Sequence, residues 1–256
     1  MSKNRSLMGL PAAISLLMFG CATIDSGETA ALINAESVMD APMLPAKIPM
    51  PVKTIEIYDA MQKKRVEADV LSLSADDIRK RLTTTQTLIA IQKRDSSGSL
   101  TYLGSGGKVS RGSYRVTFDY ANYTNQEVSF GGSTSNAAIG RIGVGLRITA
   151  DLDTFSNNVD LSGLFPIGLA AKDGKVSGRL SFEVYGMSND KVALAIPSNS
   201  ILDESSIQKS FEAAATVRVL FGLPETKLEP YLIGVANIRP VDASAALAAA
   251  ASKLTQ

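Results

Sequence analysis

The chain has no histidine and no tryptophan, one cysteine in 256 residues, and almost no net charge, with 26 Lys+Arg against 25 Asp+Glu. Without imidazole it cannot assemble a Ser-His-Asp or Cys-His pair, cannot ligate a metal through histidine, and lacks the one side chain whose unperturbed pKa lies near neutrality. Chemistry is left to carboxylates, lysine, tyrosine and hydroxyls. A single thiol permits no internal disulfide. A net charge of +1 supplies no field to gather nucleic acid, which is bound by clustered Lys and Arg neutralising phosphates, so no nucleic-acid partner is expected. The apolar share of 45% suffices for a real core and excludes wholesale disorder, and the length suits one large or two small domains. No repeat of solenoid or propeller period is visible.

What is present begins with an address. Lys3 and Arg5 form a positive start, and Leu7 to Phe19 is a mostly apolar stretch, broken by Pro11, that ends at Gly20 and Cys21. A membrane-spanning helix needs roughly 20 consecutive apolar residues, and this run is shorter and opens onto Thr23, Asp25 and Ser26. It reads as a secretory signal over residues 1–20. Leu17-Met18-Phe19-Gly20-Cys21 resembles the lipobox of bacterial lipoproteins, in which a small residue precedes a cysteine that is acylated and becomes the mature N-terminus. Gly20 and Cys21 carry the match, while Met18 and Phe19 stand where that family usually has aliphatic and small residues. The resemblance implies lipidation of Cys21. It also implies the outer membrane, because Ala22 replaces the aspartate that often retains such proteins at the inner membrane. Two or three acyl chains anchor firmly where one holds weakly. Loss of residues 1–20 removes Lys3 and Arg5, leaving 236 residues with a net charge of −1.

Residues 21–51 open with the N-terminus that the resemblance implies is acylated, and contain Pro42, Pro45, Pro49 and Pro51 among small and polar residues, which predicts a proline-rich tether. As a flexible coil, about 30 such residues would span on the order of 30 Å, and roughly 100 Å when stretched. A segment packed along the body is the alternative, with Ile48, Met50 and Val52 adding an edge strand. Residues 52–241 are expected to fold as an antiparallel β-rich domain, mainly β with two or three short helices, as a sandwich or meander. Period-two alternation predicts strands over Val52 to Tyr58, Val66 to Leu73, Thr87 to Lys93 and Tyr114 to Tyr120. Ser74-Ala75-Asp76-Asp77 predicts a capped helix through Leu82.

The longest signal runs from Ile139 to Met187. Ile142, Val144, Leu146, Ile148, Ala150 and Leu152 alternate with Arg141, Gly143, Gly145, Arg147, Thr149 and Asp151. A return strand from Val159 to Leu169 and a third from Val176 to Tyr185, after a turn at Lys172-Asp173-Gly174-Lys175, would complete a meander. Pro166 would put the return strand at an edge or a bulge. Further strands are expected at Val192 to Ile196, Val217 to Phe221 and Tyr231 to Ile238. A helix capped by Ser205-Ser206-Ile207-Gln208 should run to about Thr216. Residues 242–256, with seven alanines between Ala243 and Ala251, suggest a frayed helical tail.

The candidate chemistry is weak throughout. Gly104-Ser105-Gly106-Gly107-Lys108 has the glycines and lysine of a phosphate loop but neither its first glycine, Tyr102 standing there, nor its hydroxyl, replaced by Val109, so a hairpin loop is expected. Ser206 and Lys209 match Ser-x-x-Lys, without the companion motifs of the penicillin-interacting enzymes. Asp151, Asp153, Asn157 and Asp160 could offer oxygens to calcium, but the spacing of a calcium loop is broken by Phe155. Adjacent Asp76 and Asp77 do not face one another on a helix. The expectation is therefore a non-catalytic lipoprotein of the bacterial outer membrane, its body facing the periplasm. It has no cofactor and no metal, it is held by lipid through Cys21, and it contacts other envelope proteins in a structural or assembly role. The alternative is a subunit of an oligomeric outer-membrane pore or secretion apparatus, a homo-oligomer in which the amphipathic hairpin enters lipid, since barrel strands show the same alternation. Curli-secretion lipoproteins are the architectural analogy, without a motif match.

Overall fold

The computed structural model describes residues 44–59, 61–129 and 137–236. Cys21, the signal segment and the alanine-rich tail lie outside these residues. In chain order the strands and helices are β1 (Leu44–Pro51), β2 (Thr54–Asp59), β3 (Lys64–Asp69), α1 (Ala75–Arg81), β4 (Thr84–Arg94), β5 (Leu100–Gly104), β6 (Lys108–Val109), β7 (Gly112–Ser129), β8 (Ala137–Thr154) and β9 (Val159–Asp160). They continue as α2 (Leu164–Lys172), β10 (Val176–Tyr185), β11 (Met187–Ser188), α3 (Asp190–Ala195), β12 (Ser200–Ile201), α4 (Glu204–Phe221), β13 (Lys227–Leu228) and β14 (Tyr231–Ala236). The protein is mainly β, built on antiparallel pairs, with four α-helices among the described residues rather than two or three, and α4 is 18 residues long.

One eight-stranded sheet organises the body. Its spine is the β7–β8 pair, in register from Gly112↔Thr154 to Ser129↔Ala137, flanked beyond β7 by β4 and then β5. On its other side β8 has two partners. β10 pairs with it from Val176↔Thr154 to Tyr185↔Gly145, and β14 from Tyr231↔Gly143 to Ala236↔Ile139, so the sheet forks at Val144. β12 extends the first branch and β1 the second.

Two glycines flank the fork. A Cβ on Gly145 would lie 2.1 Å from the Tyr120 carbonyl oxygen, and one on Gly143 2.6 Å from that of Asn122. No side chain fits there, so β7 and β8 approach more closely than any other residue would allow. Gly186, at φ +70, turns the chain beside Val144 where β10 leaves the sheet.

The apolar parity of β8 is buried as the alternation predicts, but under two separate covers. Leu146, Ile148, Ala150 and Leu152 pack with α2 and α4 through Leu164, Ile167, Ile207, Ala213 and Val217. Ile142 and Val144 pack with β2 and α1 through Ile55, Ile78 and Leu82. Arg79 of α1 ties the covers together. Its Nε donates to the Phe221 carbonyl at 2.8 Å and its Nη2 to the carbonyls of Leu223 and, at 3.3 Å, Thr226, which occupies the free carbonyls at the end of α4.

Several expected boundaries move. The sheet starts at Leu44, eight residues before Val52, because β1 pairs with β14, so the segment expected as tether ends in a strand. The expected return strand Val159 to Leu169 is mostly helix. Pro166 is the third residue of α2, where the N–H it lacks would have no acceptor, and Leu164, Ile167, Gly168 and Ala170 face the core. The Lys172-Asp173-Gly174-Lys175 turn ends that helix rather than joining two strands. Gly174 at φ +68 donates to the Ala171 carbonyl and Lys175 to that of Ala170, a Schellman end. The meander's middle strand is thus absent, and β10 pairs with β8 directly. Val192 to Ile196 is largely α3, opened by the Asn189 side chain accepting from the Lys191 N–H. Val217 to Phe221 completes α4, because Val217 and Leu220 continue the buried spacing of Ile207, Ser210 and Ala213. Ser74 caps α1 through a reciprocal box with Asp77, as its sequence predicts.

Candidate functional site

The residues singled out by motif are not brought together. Ser206 belongs to the capping box of α4, set by Asp203 rather than by Ser205: the Ser206 N–H donates to Asp203 Oδ1 at 2.7 Å, and the Asp203 N–H to Ser206 Oγ at 2.9 Å. The Ser206 hydroxyl donates to the Asp203 carbonyl at 2.9 Å and makes no hydrogen bond to Lys209, so nothing activates it. The glycine-rich stretch joins β5 to β6 as a loop, with Gly104 and Gly107 at positive φ. The four candidate calcium ligands each have another task. Asp151 pairs with two arginines, Asp153 accepts from Ser113 Oγ, Asn157 from the Arg111 N–H and Asp160 from the Ser162 N–H. Among the described residues no group of three or more Cys, Asp or Glu is placed to hold a metal ion.

What the fold does bring together is a buried polar cluster on the second face of β8. Asp119 of β7 lies opposite Arg147 in register. Arg147 Nε donates to Asp119 Oδ1 at 2.7 Å and Nη2 to Oδ2 at 2.8 Å, with both side chains only 5% exposed. Arg147 also donates through Nη1 to the Ala46 carbonyl at 2.5 Å and through Nη2 to the Ile233 carbonyl at 3.2 Å. Ala46 is two strands away, about 10 Å along a flat sheet, so the β14–β1 branch curls over this face to place its backbone on the guanidinium. Burial presses Arg147 toward its neutral form, but the bidentate carboxylate more than offsets this and holds the cation above its ordinary value. Burial pushes the Asp119 carboxyl up, while the same bonds pull it down.

Around this pair, Arg141 lies 4.3 Å over the Tyr123 ring and donates to Asn125 Oδ1 at 3.2 Å. Tyr185 closes the cluster, its hydroxyl buried without a hydrogen-bond partner among the described residues and its pKa pushed well above the usual phenol value, first by burial and then by the Asp119 charge. These groups fix the curl of the sheet. The cluster presents no exposed nucleophile or acid to a substrate.

The opening in the fold lies on the other face, at the fork. Where the two covers of β8 meet, α4 does not close against β4 and β7, and a cleft of about 210 Å³ remains. Val144, Met187, Ala214, Val217 and Phe221 form its apolar wall, with Met187 belonging to both packing clusters. Thr85, Gln86, Thr87, Tyr120 and Asn122 line the sheet side, and Arg218 of α4 stands at the exposed edge. Neither the cleft nor the Arg147 cluster is named by any motif. The visible signal was the pairing of Gly143 and Gly145 with Arg141 and Arg147 on one parity, an unusual composition for a solvated face.

Comparison with protein families, with curated proteins and with solved structures finds nothing similar: no family model, no curated protein and no solved structure matches this chain.

Proposed function

We propose that the protein is a non-catalytic lipoprotein of the bacterial outer membrane, anchored by acylated Cys21, whose β-rich body serves a structural or assembly role among envelope components on the periplasmic side. The observation that carries this reading is Gly20-Cys21 closing a short apolar run after Lys3 and Arg5. The body supports it in two ways. Its buried ion pair, Asp119 with Arg147, is committed to holding the sheet, and its edges are unequal. Three prolines in β1 (Pro45, Pro49 and Pro51) subtract backbone donors from that edge, whereas β5 carries none and exposes Leu103. Strand addition by an envelope partner would therefore use β5. No helix among the described residues is long and apolar enough to cross a membrane.

The pore reading is not favoured by the packing. Insertion of the β8 hairpin would put Leu146, Ile148 and Ala150 in lipid, and these side chains are fully buried beneath α2 and α4. Metabolic palmitate labelling with membrane fractionation tests the proposal. Wild type is expected to carry label and sediment with outer membrane, and Cys21→Ala to lose both; unlabelled, soluble wild type overturns it.

A further inference from the structure

We propose that the cleft at the fork binds a small amphipathic anion, a carboxylate on a short hydrocarbon chain or ring, with the apolar part against α4 and the carboxylate on Arg218. This goes beyond an anchoring and assembly role, since it assigns a ligand to the folded body itself.

The cleft lies at the fork of the sheet, with Val144 and Gly145 in its lining. Gly143 and Gly145 flank the point where the partners of β8 change from β14 to β10, and the two covers of its apolar face meet there without filling the seam. The size sets the ligand. An apolar cavity of about 150 Å³ holds a benzene molecule, so this cleft of about 210 Å³ takes a ring with one substituent or a chain of about six to eight carbons.

The charge of the lining sets the head group. No acidic residue lines the cleft, and Arg218 is its one charged side chain. Among the described residues Arg218 forms no ion pair, although ten other pairs are made across the body. Nor is it required at the end of α4, where Arg79 already occupies the carbonyls of Phe221 and Leu223. A guanidinium beside an apolar wall, with its own helix end already served, is a receptor for a carboxylate, which it can grip through two parallel bonds. The hydroxyls of Thr85 and Thr87 and the phenol of Tyr120, whose pKa burial raises so that it stays a donor, supply neutral hydrogen bonds on the opposite wall. A cationic amphiphile finds no counter-charge there.

Isothermal titration with octanoate tests this, on the full chain carrying Cys21→Ser so that no acyl group or detergent competes. Saturable one-to-one binding is expected, with octylammonium at least tenfold weaker. Arg218→Gln should weaken octanoate roughly tenfold or more, the loss of a charge-assisted hydrogen bond, and leave octanol unchanged. Ala214→Phe, which fills the apolar wall, should abolish binding of both, with the circular dichroism of the variant confirming that it folds. No saturable octanoate binding, octylammonium binding as tight as octanoate, or octanoate binding undiminished in Ala214→Phe overturns the proposal. Because the anchor is removed in every arm, the result is independent of whether Cys21 is acylated.

Discussion

Two arginine–carboxylate sites sit on the same face of β8, one residue pair apart along that face, and their surroundings make them different objects. At Arg147 and Asp119 both side chains are 5% exposed and every bond is closed by protein, including two backbone carbonyls from the curled branch. At Asp151, which is 37% exposed, Arg115 donates through Nε and Nη2 at 2.9 Å each and Arg94 adds a third bond at 2.5 Å. By geometry alone the second site has more bonds to its carboxylate, three against two. The difference is solvent. An exposed pair competes with water and salt and contributes about 0–1 kcal/mol, whereas breaking a buried pair strands a charge and costs about 3–5 kcal/mol. The buried site also joins segments distant in sequence, since Ala46, Asp119, Arg147 and Ile233 meet on one guanidinium.

Asp119→Ala should therefore have the largest effect, about 3–5 kcal/mol in urea unfolding, with the loss insensitive to added salt. Replacing both partners by apolar residues should recover only part of this, because the Ala46 and Ile233 carbonyls lose their donor as well. A variant that unfolds at the wild-type urea midpoint would show that the curl is held by something else.

Gly145→Ala should follow, at about 1–3 kcal/mol or somewhat more, because the new Cβ has the Tyr120 carbonyl 2.1 Å away and backbone must shift to admit it. The close approach and the buried pair are coupled if pushing β7 and β8 apart at Gly145 carries Arg147 away from Ala46. A double-mutant cycle between Gly145→Ala and Asp119→Ala should then show an interaction energy of at least about 0.5 kcal/mol; strict additivity would separate the two features.

Arg115→Met lies at the other pole, at about 0–1 kcal/mol and shrinking in 1 M salt. A loss as large as that of Asp119→Ala would erase the distinction between the sites.

The sequence made one half of this comparison easy to see and hid the other. The apolar parity of β8 from Ile142 to Leu152 is legible because burial against a sheet face imposes period two, and it is buried throughout. Ser74 and Asp77 are legible because a capping box is local in sequence. Leu164 to Lys172 was not, since a short buried helix rich in Leu, Ile and Ala presents apolar residues on both strand parities, and Pro166 argues equally for a strand edge or a first helical turn. The Arg147 cluster could not be read because its partners lie 28, 86 and 101 residues away and are in part backbone carbonyls, which have no residue type. The cleft is a further step removed, being a place where packing stops. Cys21 is the opposite case, a proposed lipidation site carried wholly by local sequence and lying outside the described residues.

A third kind of carboxylate sharpens the comparison at its small end. Asp203 is exposed and has no arginine. The Ser206 N–H, and after it the Ser206 side chain, hold its pKa below the ordinary carboxylate value. A carboxylate with a depressed native pKa contributes stability that is fully present above the unfolded-state value of about 3.9 and is lost as the pH falls through the lower native value. Asp203→Asn keeps an acceptor for the same N–H but cannot titrate. At neutral pH the variant should unfold within a few degrees of wild type. Below about pH 4 the two unfolding curves should converge, because the wild type alone is losing an ionised cap. Asp119 offers no such low-pH loss, because burial pushes its pKa up and not down. If the difference between wild type and Asp203→Asn stayed constant from pH 7 to pH 2.5, the cap would be acting through its shape and not through its charge.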